Sequence, residues 1–123
     1  MPQGADSSVL REGDQVLSGY RLMWLLVMFD LPVGTPAERK ASTDFRNALL
    51  DHGFERCQFS VYVRFLAGYE QVSTHLRHVQ AALPDGGKVY CLTFTDKQYE
   101  GIVRYEHRTQ LPAPETPTQF VLI

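Results

Sequence analysis

An unbroken apolar run, residues 22–29, ends in one carboxylate, Asp30, followed by the turn residues Leu31, Pro32, Val33 and Gly34. A carboxylate at the point where a buried strand leaves its sheet is well placed to meet a ligand. Alone it makes a poor cation site, because a hard ion such as Mg²⁺ takes several oxygen ligands. A two-fold dimer would bring two copies of Asp30 towards one axis. Two carboxylates and water could then hold one Mg²⁺ that polarises a phosphodiester and activates water. The competing reading is local: the Asp30 side-chain oxygen begins the turn at Leu31–Pro32.

Other chemistry-bearing residues form weaker patterns. Asp96 follows a strand and precedes Lys97, where turn chemistry accounts for it. His52, His75, His78 and His107 are scattered; His75 and His78 share a helix face, with no carboxylate or cysteine to complete a ligand set, and read as solvated. Cys57 and Cys91 lie in strand-like segments outside any CxxC pair and read as buried, reduced thiols. Ser60 has no nucleophile elbow around it. Residues 85–87, Asp-Gly-Gly, signal a turn and not a phosphate loop. Arg39, Lys40 and Arg46 could form one basic stripe along a helix and meet a phosphate backbone, doubled across a dimer. As a solvated helix face they would do nothing more.

The totals restrict the choices. A chain of 123 residues fits one domain with a modest core. Formal net charge is −2, which excludes a bulk-basic nucleic-acid binder and leaves only a local patch for phosphate. The apolar run is too short to span a membrane, and residues 1–19 carry no signal-peptide pattern. A cytoplasmic protein is expected.

The elements that must position Asp30 are legible from periodicity. Residues 1–19 read as a mobile leader. Residues 22–29 are apolar on both alternating faces, as in a strand buried on two sides. Thr35, Pro36 and Glu38 fit N-cap, N1 and N3 of a helix, with Ala37, Ala41, Phe45, Ala48 and Leu49 as its apolar stripe and Gly53 as its stop. Residues 54–66 read as two short strands or one bent one, with Ser60, Tyr62 and Arg64 facing one way and Val61, Val63 and Phe65 the other. A second helix follows from Tyr69 through Val72, Leu76 and Val79 to Leu83, then a strand over 88–95. The order strand-helix-strand-strand-helix-strand is that of an α+β, ferredoxin-like βαββαβ domain over residues 20–105. Its helices cover one sheet face, so the doubly apolar first strand predicts a face-to-face homodimer. The alternative is that Trp24 and its neighbours sit under a loop. Residues 97–108 hold a helical turn or an edge segment. Residues 106–118 read as a proline-rich linker, able to span up to roughly 40 Å. Residues 119–123, Gln-Phe-Val-Leu-Ile, read as an additional C-terminal strand pairing with a sheet edge, that of the partner subunit.

Taken together, Leu25–Val33, the capped helix, the stretch 53–64 ending in Gln-x-Ser-Val-Tyr-Val-Arg, and residues 88–99 resemble a known family. It is the small CRISPR-associated adaptation protein, the second core protein of spacer acquisition, in the form found beside a single large effector nuclease. The resemblance covers about residues 20–105. It implies a ferredoxin-like homodimer, a terminal strand on the other subunit, and a metal-binding, catalytic Asp at position 30, with one Mg²⁺ shared by both subunits. Arg64, which closes the motif, joins Arg39, Lys40 and Arg46 as a candidate nucleic-acid contact. The implied activity is Mg²⁺-dependent endonuclease action on RNA or DNA. The implied partners are the CRISPR integrase, whose dimers the protein bridges, and protospacer duplex DNA or single-stranded RNA. The low pI fits a subunit that shares its DNA contacts with the integrase. A ferredoxin-like ligand-sensing dimer without nuclease activity is the alternative, and it would need a pocket of convergent polar groups.

Overall fold

A strand that is apolar on both faces belongs in the interior of a sheet, with other elements packed over its faces. The computed structural model describes residues 22–117. Strand β1 (Met23–Asp30) is followed by helix α1 (Pro36–Asp51), strands β2 (Glu55–Gln58) and β3 (Val61–Leu66), helix α2 (Val72–Ala81) and strand β4 (Lys88–Thr95). The sheet order is β2-β3-β1-β4, with every neighbouring pair antiparallel. This is the expected α+β, ferredoxin-like arrangement. β1 lies between β3 and β4, so its backbone is paired on both edges.

The odd positions of β1 meet the helices. Met23, Leu25, Val27 and Phe29 pack with Phe45 and Leu49 of α1, Val72 and Val79 of α2, and Tyr62 and Leu66 of β3. The Phe29 ring meets Phe45 edge-on at 5.1 Å between centroids. Helix α1 starts where the sequence says it should. Thr35 accepts from the Glu38 amide at 3.1 Å, and the Glu38 carboxylate accepts from the Thr35 amide at 3.0 Å, with Pro36 at the first helical position. Its buried line runs through Ser42, Phe45 and Leu49, so the expected alanine stripe is turned towards Ser42. Helix α2 is shorter than its pattern. A 3₁₀ turn occupies Tyr69–Gln71, and Tyr69 and Leu83, the expected ends of the stripe, are exposed.

The even face of β1 has two halves. At one end Trp24 is 5% exposed and packs with Val63 and Phe65. It is covered by Tyr99, stacked at 3.9 Å, from the short helix α3 (Asp96–Glu100). The indole N–H donates to Asp96 Oδ1 at 2.8 Å. Asp96 is therefore a structural anchor and not a turn residue alone. Thr116 brings the following chain back onto it, its hydroxyl reaching the Asp96 carboxylate and lying 3.3 Å from that of Glu100. At the other end Met28, Leu92 and Tyr90 remain 41–58% exposed. The expectation that Trp24 is covered by its own chain holds at that end, while the other half of the face is exposed among the described residues.

Three further expectations change. Strands β5 (Arg104–Glu106) and β6 (Thr109–Leu111) form a hairpin in the region expected to begin a linker, and within that expected linker the irregular stretch among the described residues is 112–117. Its turn residues His107 and Arg108 take φ of +51° and +69°. Without Asn or Gly there, the usual hairpin signal is missing. Cys57 and Cys91 are exposed, because Cys57 sits at the bulge of edge strand β2 and Cys91 on edge strand β4. The terminal strand expected at 119–123 and the leader at 1–19 lie outside the described residues. Among those residues no helix is long and apolar enough to cross a membrane.

Asp96→Ala removes the acceptor of both the Trp24 indole and the Thr116 hydroxyl. It is expected to lower the unfolding free energy by about 1–3 kcal/mol in urea titrations followed by Trp24 fluorescence, with the midpoint moving to lower urea.

Candidate functional site

Pleat alternation puts the last residue of β1 on the same face as Met28. That residue is Asp30, opposite Lys88 in the β1–β4 ladder. Its side chain is exposed, in a shallow recess with Met28, Phe29, Lys88 and Tyr90. Among the described residues its carboxylate makes no hydrogen bond or ion pair, so it does not begin the turn that follows. Glu38 organises that turn instead, accepting from the Gly34 and Thr35 amides at 2.9 and 3.0 Å, and Arg39 donates to the Val33 carbonyl at 3.2 Å. The local explanation of Asp30 is thereby removed.

The backbone of Asp30 is held from the side of β4. Gly87 takes φ +86°, and a Cβ there would lie 2.6 Å from the Asp30 carbonyl oxygen and 3.0 Å from Leu31 Cα. Only glycine lets the turn before β4 approach the strand end this closely.

At this strand end one chain supplies one carboxylate, without a partner among the described residues. Among the described residues no group of three His, Cys, Asp or Glu side chains could hold a metal ion. An unpartnered, exposed carboxylate fits one ligand of a cation that prefers oxygen, and the set is completed only if a second chain adds its own. The surroundings suit that: Met28, paired with Tyr90, and Leu92 form an apolar strip on its face that is exposed among the described residues.

The four expected nucleic-acid contacts are not gathered into one patch. Arg39 and Arg46 lie about 20° apart around α1, but Lys40 is about 100° from Arg39. Lys40 pairs with Asp44 at 2.9 Å. Arg46 lies over the rings of Phe29 and Phe59 at 5.8 and 4.7 Å. Arg64 is on the helix side of the sheet, packed against Gly53, where a Cβ would come within 3.0 Å of its Nε. Its guanidinium donates to the Phe65 carbonyl at 3.3 Å, and its Nε is buried without a partner among the described residues.

Arg64 also faces a histidine group. His52 and His78 stack at 4.1 Å, and His75 meets His78 edge-on at 5.4 Å. The Nδ1 atoms of His75 and His78 are buried without partners among the described residues, so these are not the solvated helix histidines expected. Burial, then the Arg64 guanidinium and the neighbouring His78 and His52, holds the His75 pKa below its ordinary value of 6.5. Sequence reasoning missed this group, and also Gly87 and the exposed Phe59. For Phe59 the available signal was an aromatic residue at a hairpin tip.

A family model described as "CRISPR associated protein Cas2" matches residues 23–102. A protein of Paracidovorax avenae described as "CRISPR-associated endoribonuclease Cas2" is 59% identical over 107 residues, covering 87% of this chain and 99% of its own. Proteins with the same description from Flavobacterium psychrophilum and Parvibaculum lavamentivorans are 46% and 41% identical. Those matches cover 68% and 81% of this chain, and 72% and 99% of theirs.

Two outcomes are expected. Gly87→Ala should lower stability by about 1–3 kcal/mol and shift the Asp30 amide resonance, whereas Gly86→Ala, whose Cβ would meet only Pro32 at 3.5 Å, should do neither. The folded-state pKa of His75 is depressed, so its neutral form is favoured by folding. Its contribution is complete above pH 6.5 and is lost as pH falls from there through the folded pKa. Urea titrations at descending pH should show that loss in the wild type and a smaller one in His75→Gln.

Proposed function

The chain belongs to the CRISPR-associated protein Cas2 family, and from that premise we propose that it acts in spacer acquisition as a homodimeric scaffold with a metal-dependent endonuclease centre at Asp30. The observation that carries this reading is the exposed Asp30 carboxylate, unpartnered among the described residues, beside an apolar strip that those residues leave exposed on its own face of the sheet. Burying Met28, Leu92 and Tyr90 against the same residues of a second copy removes apolar surface from water. It also carries two Asp30 side chains towards a common axis.

In that dimer the two Asp30 side chains together would hold one shared Mg²⁺. The ion would supply Lewis-acid polarisation of a phosphodiester. The chain's own contribution is to hold each carboxylate rigidly at a strand end, fixed by Gly87 on one side and the Glu38-organised turn on the other. Lys88, opposite Asp30, places a cation where the phosphate of a bound strand would come. RNA cleavage follows the names of the relatives, while duplex protospacer DNA follows from the scaffold role.

The scaffold role assigns the dimer to bridge CRISPR integrase dimers. Exposed Arg39, and Arg46 close to it around α1, support contact with a phosphate backbone. In this role the carboxylate is dispensable. The ligand-sensing alternative is not supported by the family membership.

The test is cleavage of labelled single-stranded RNA and duplex DNA by wild type and Asp30→Asn, with Mg²⁺ titrated and both proteins shown to be dimeric by light scattering. Cleavage is expected to fall by about a hundredfold or more in the variant, with the dimer intact. Equal cleavage by both would place the chemistry elsewhere.

A further inference from the structure

The tip of the β2–β3 hairpin holds an aromatic ring out in water. Phe59 is 70% exposed, the most exposed of the large apolar side chains among the described residues. The next residue, Ser60, takes φ +72°, a conformation that disfavours side chains with a Cβ. The Ser60 carbonyl accepts from the Phe29 amide at 3.1 Å, which ties the tip to the end of β1 immediately before Asp30. Neither the exposure nor the backbone conformation is explained by packing.

Two guanidinium groups stand on this ring. Arg46 Cζ lies 4.7 Å from its centroid and Arg56 Cζ 5.7 Å. Arg46 reaches it from α1 and Arg56 from β2, so three elements converge. Among the described residues neither arginine has a carboxylate partner, in contrast to Lys40. A ring face holds a guanidinium in place without neutralising it. Its in-plane N–H donors stay free for an oxyanion, and a guanidinium fork matches the two oxygens of a phosphate. The site therefore presents two fixed, unspent positive charges on a chain of net charge −2.

We propose that Arg46, Arg56 and Phe59 form a clamp for the phosphodiester backbone of a nucleic acid. The clamp lies on the α1 side of the sheet end that carries Asp30, so a strand crossing that end meets both. This rests on the reading of the protein as a nucleic-acid-processing member of its family, and it adds Arg56 and Phe59 to the contacts expected from sequence. Arg46 is positioned by the Phe29 and Phe59 rings, so the clamp is set before the ligand arrives. That limits the ordering cost of binding.

The experiment is fluorescence anisotropy with the full chain in EDTA, using labelled single-stranded RNA and labelled duplex DNA over a range of salt. Arg46→Gln and Arg56→Gln are each expected to weaken binding about tenfold. Each should also reduce the slope of log affinity against log salt by about 0.7 on single strands or 0.9 on duplex, the value of one phosphate contact. Phe59→Leu keeps apolar bulk, removes the ring face and should weaken binding several-fold. Arg77→Gln, an exposed arginine on α2, should bind as wild type. A larger effect on RNA identifies a single strand as the occupant, and a larger effect on duplex identifies double-stranded DNA. The double variant R46Q/R56Q binding both probes with wild-type affinity and slope overturns the clamp, as does a wild type that binds neither. Cleavage by Asp30→Asn is read separately. Clamp failure with Asp30-dependent cleavage retained sinks the clamp alone. Weakened binding by the clamp variants with undiminished cleavage by Asp30→Asn supports the clamp and sinks the Asp30 centre.

Discussion

Strand β1 must be covered on two faces at once, and the rest of the molecule is arranged around that requirement. Its odd residues supply the floor of the main core under α1 and α2. Its even residues supply a second, smaller cluster around Trp24. A strand with this pattern is stable only in the interior of a sheet, and β3 and β4 pair with it on either side. Asp30 inherits its position from the same constraint. It is the first residue past the apolar run and still within the ladder, so it is held as firmly as the strand yet points into water.

Cover on the even face is divided between the chain and its surroundings. Tyr99, Asp96 and Thr116 close the Trp24 end through stacking and hydrogen bonds. That leaves the Asp30 end as the open half. An interface confined to Met28, Leu92 and Tyr90 would lie next to the carboxylates, whereas one centred on Trp24 would keep them apart. The polar anchor at Asp96 thus bears on where a second copy can sit, although it takes no part in the chemistry.

The positive charges divide in a similar way. Arg64 lies under α2 among histidines, where burial and then its charge lower the pKa of His75. Lys40 is spent on Asp44. Arg46 and Arg56 stand on an aromatic ring and have no carboxylate partner among the described residues. On a slightly acidic chain, the local partner of each arginine decides its use more than the total does.

Much of this fold was legible in one dimension. The Thr35–Glu38 capping box, the period-two strands and the order of elements are local signals, written in neighbouring residues and read without knowing the rest. They were enough for the ferredoxin-like arrangement, the span of β4 and the exposed end of β1. The rest depends on residues far apart in the chain. Gly87 is needed because the turn before β4 passes within van der Waals distance of Asp30. Ser42 is buried because α1 is rotated about its axis by packing against β1. The hairpin at 104–111 turns on His107 and Arg108, which no short-range rule marks. What the sequence alone determined was the elements and the place of one carboxylate, because backbone propensity and periodicity act between near neighbours. Which charges lack a partner among the described residues, which histidine nitrogens are buried and which half of a face is left open were decided only by the tertiary structure, because burial and pairing are properties of groups brought together from distant positions.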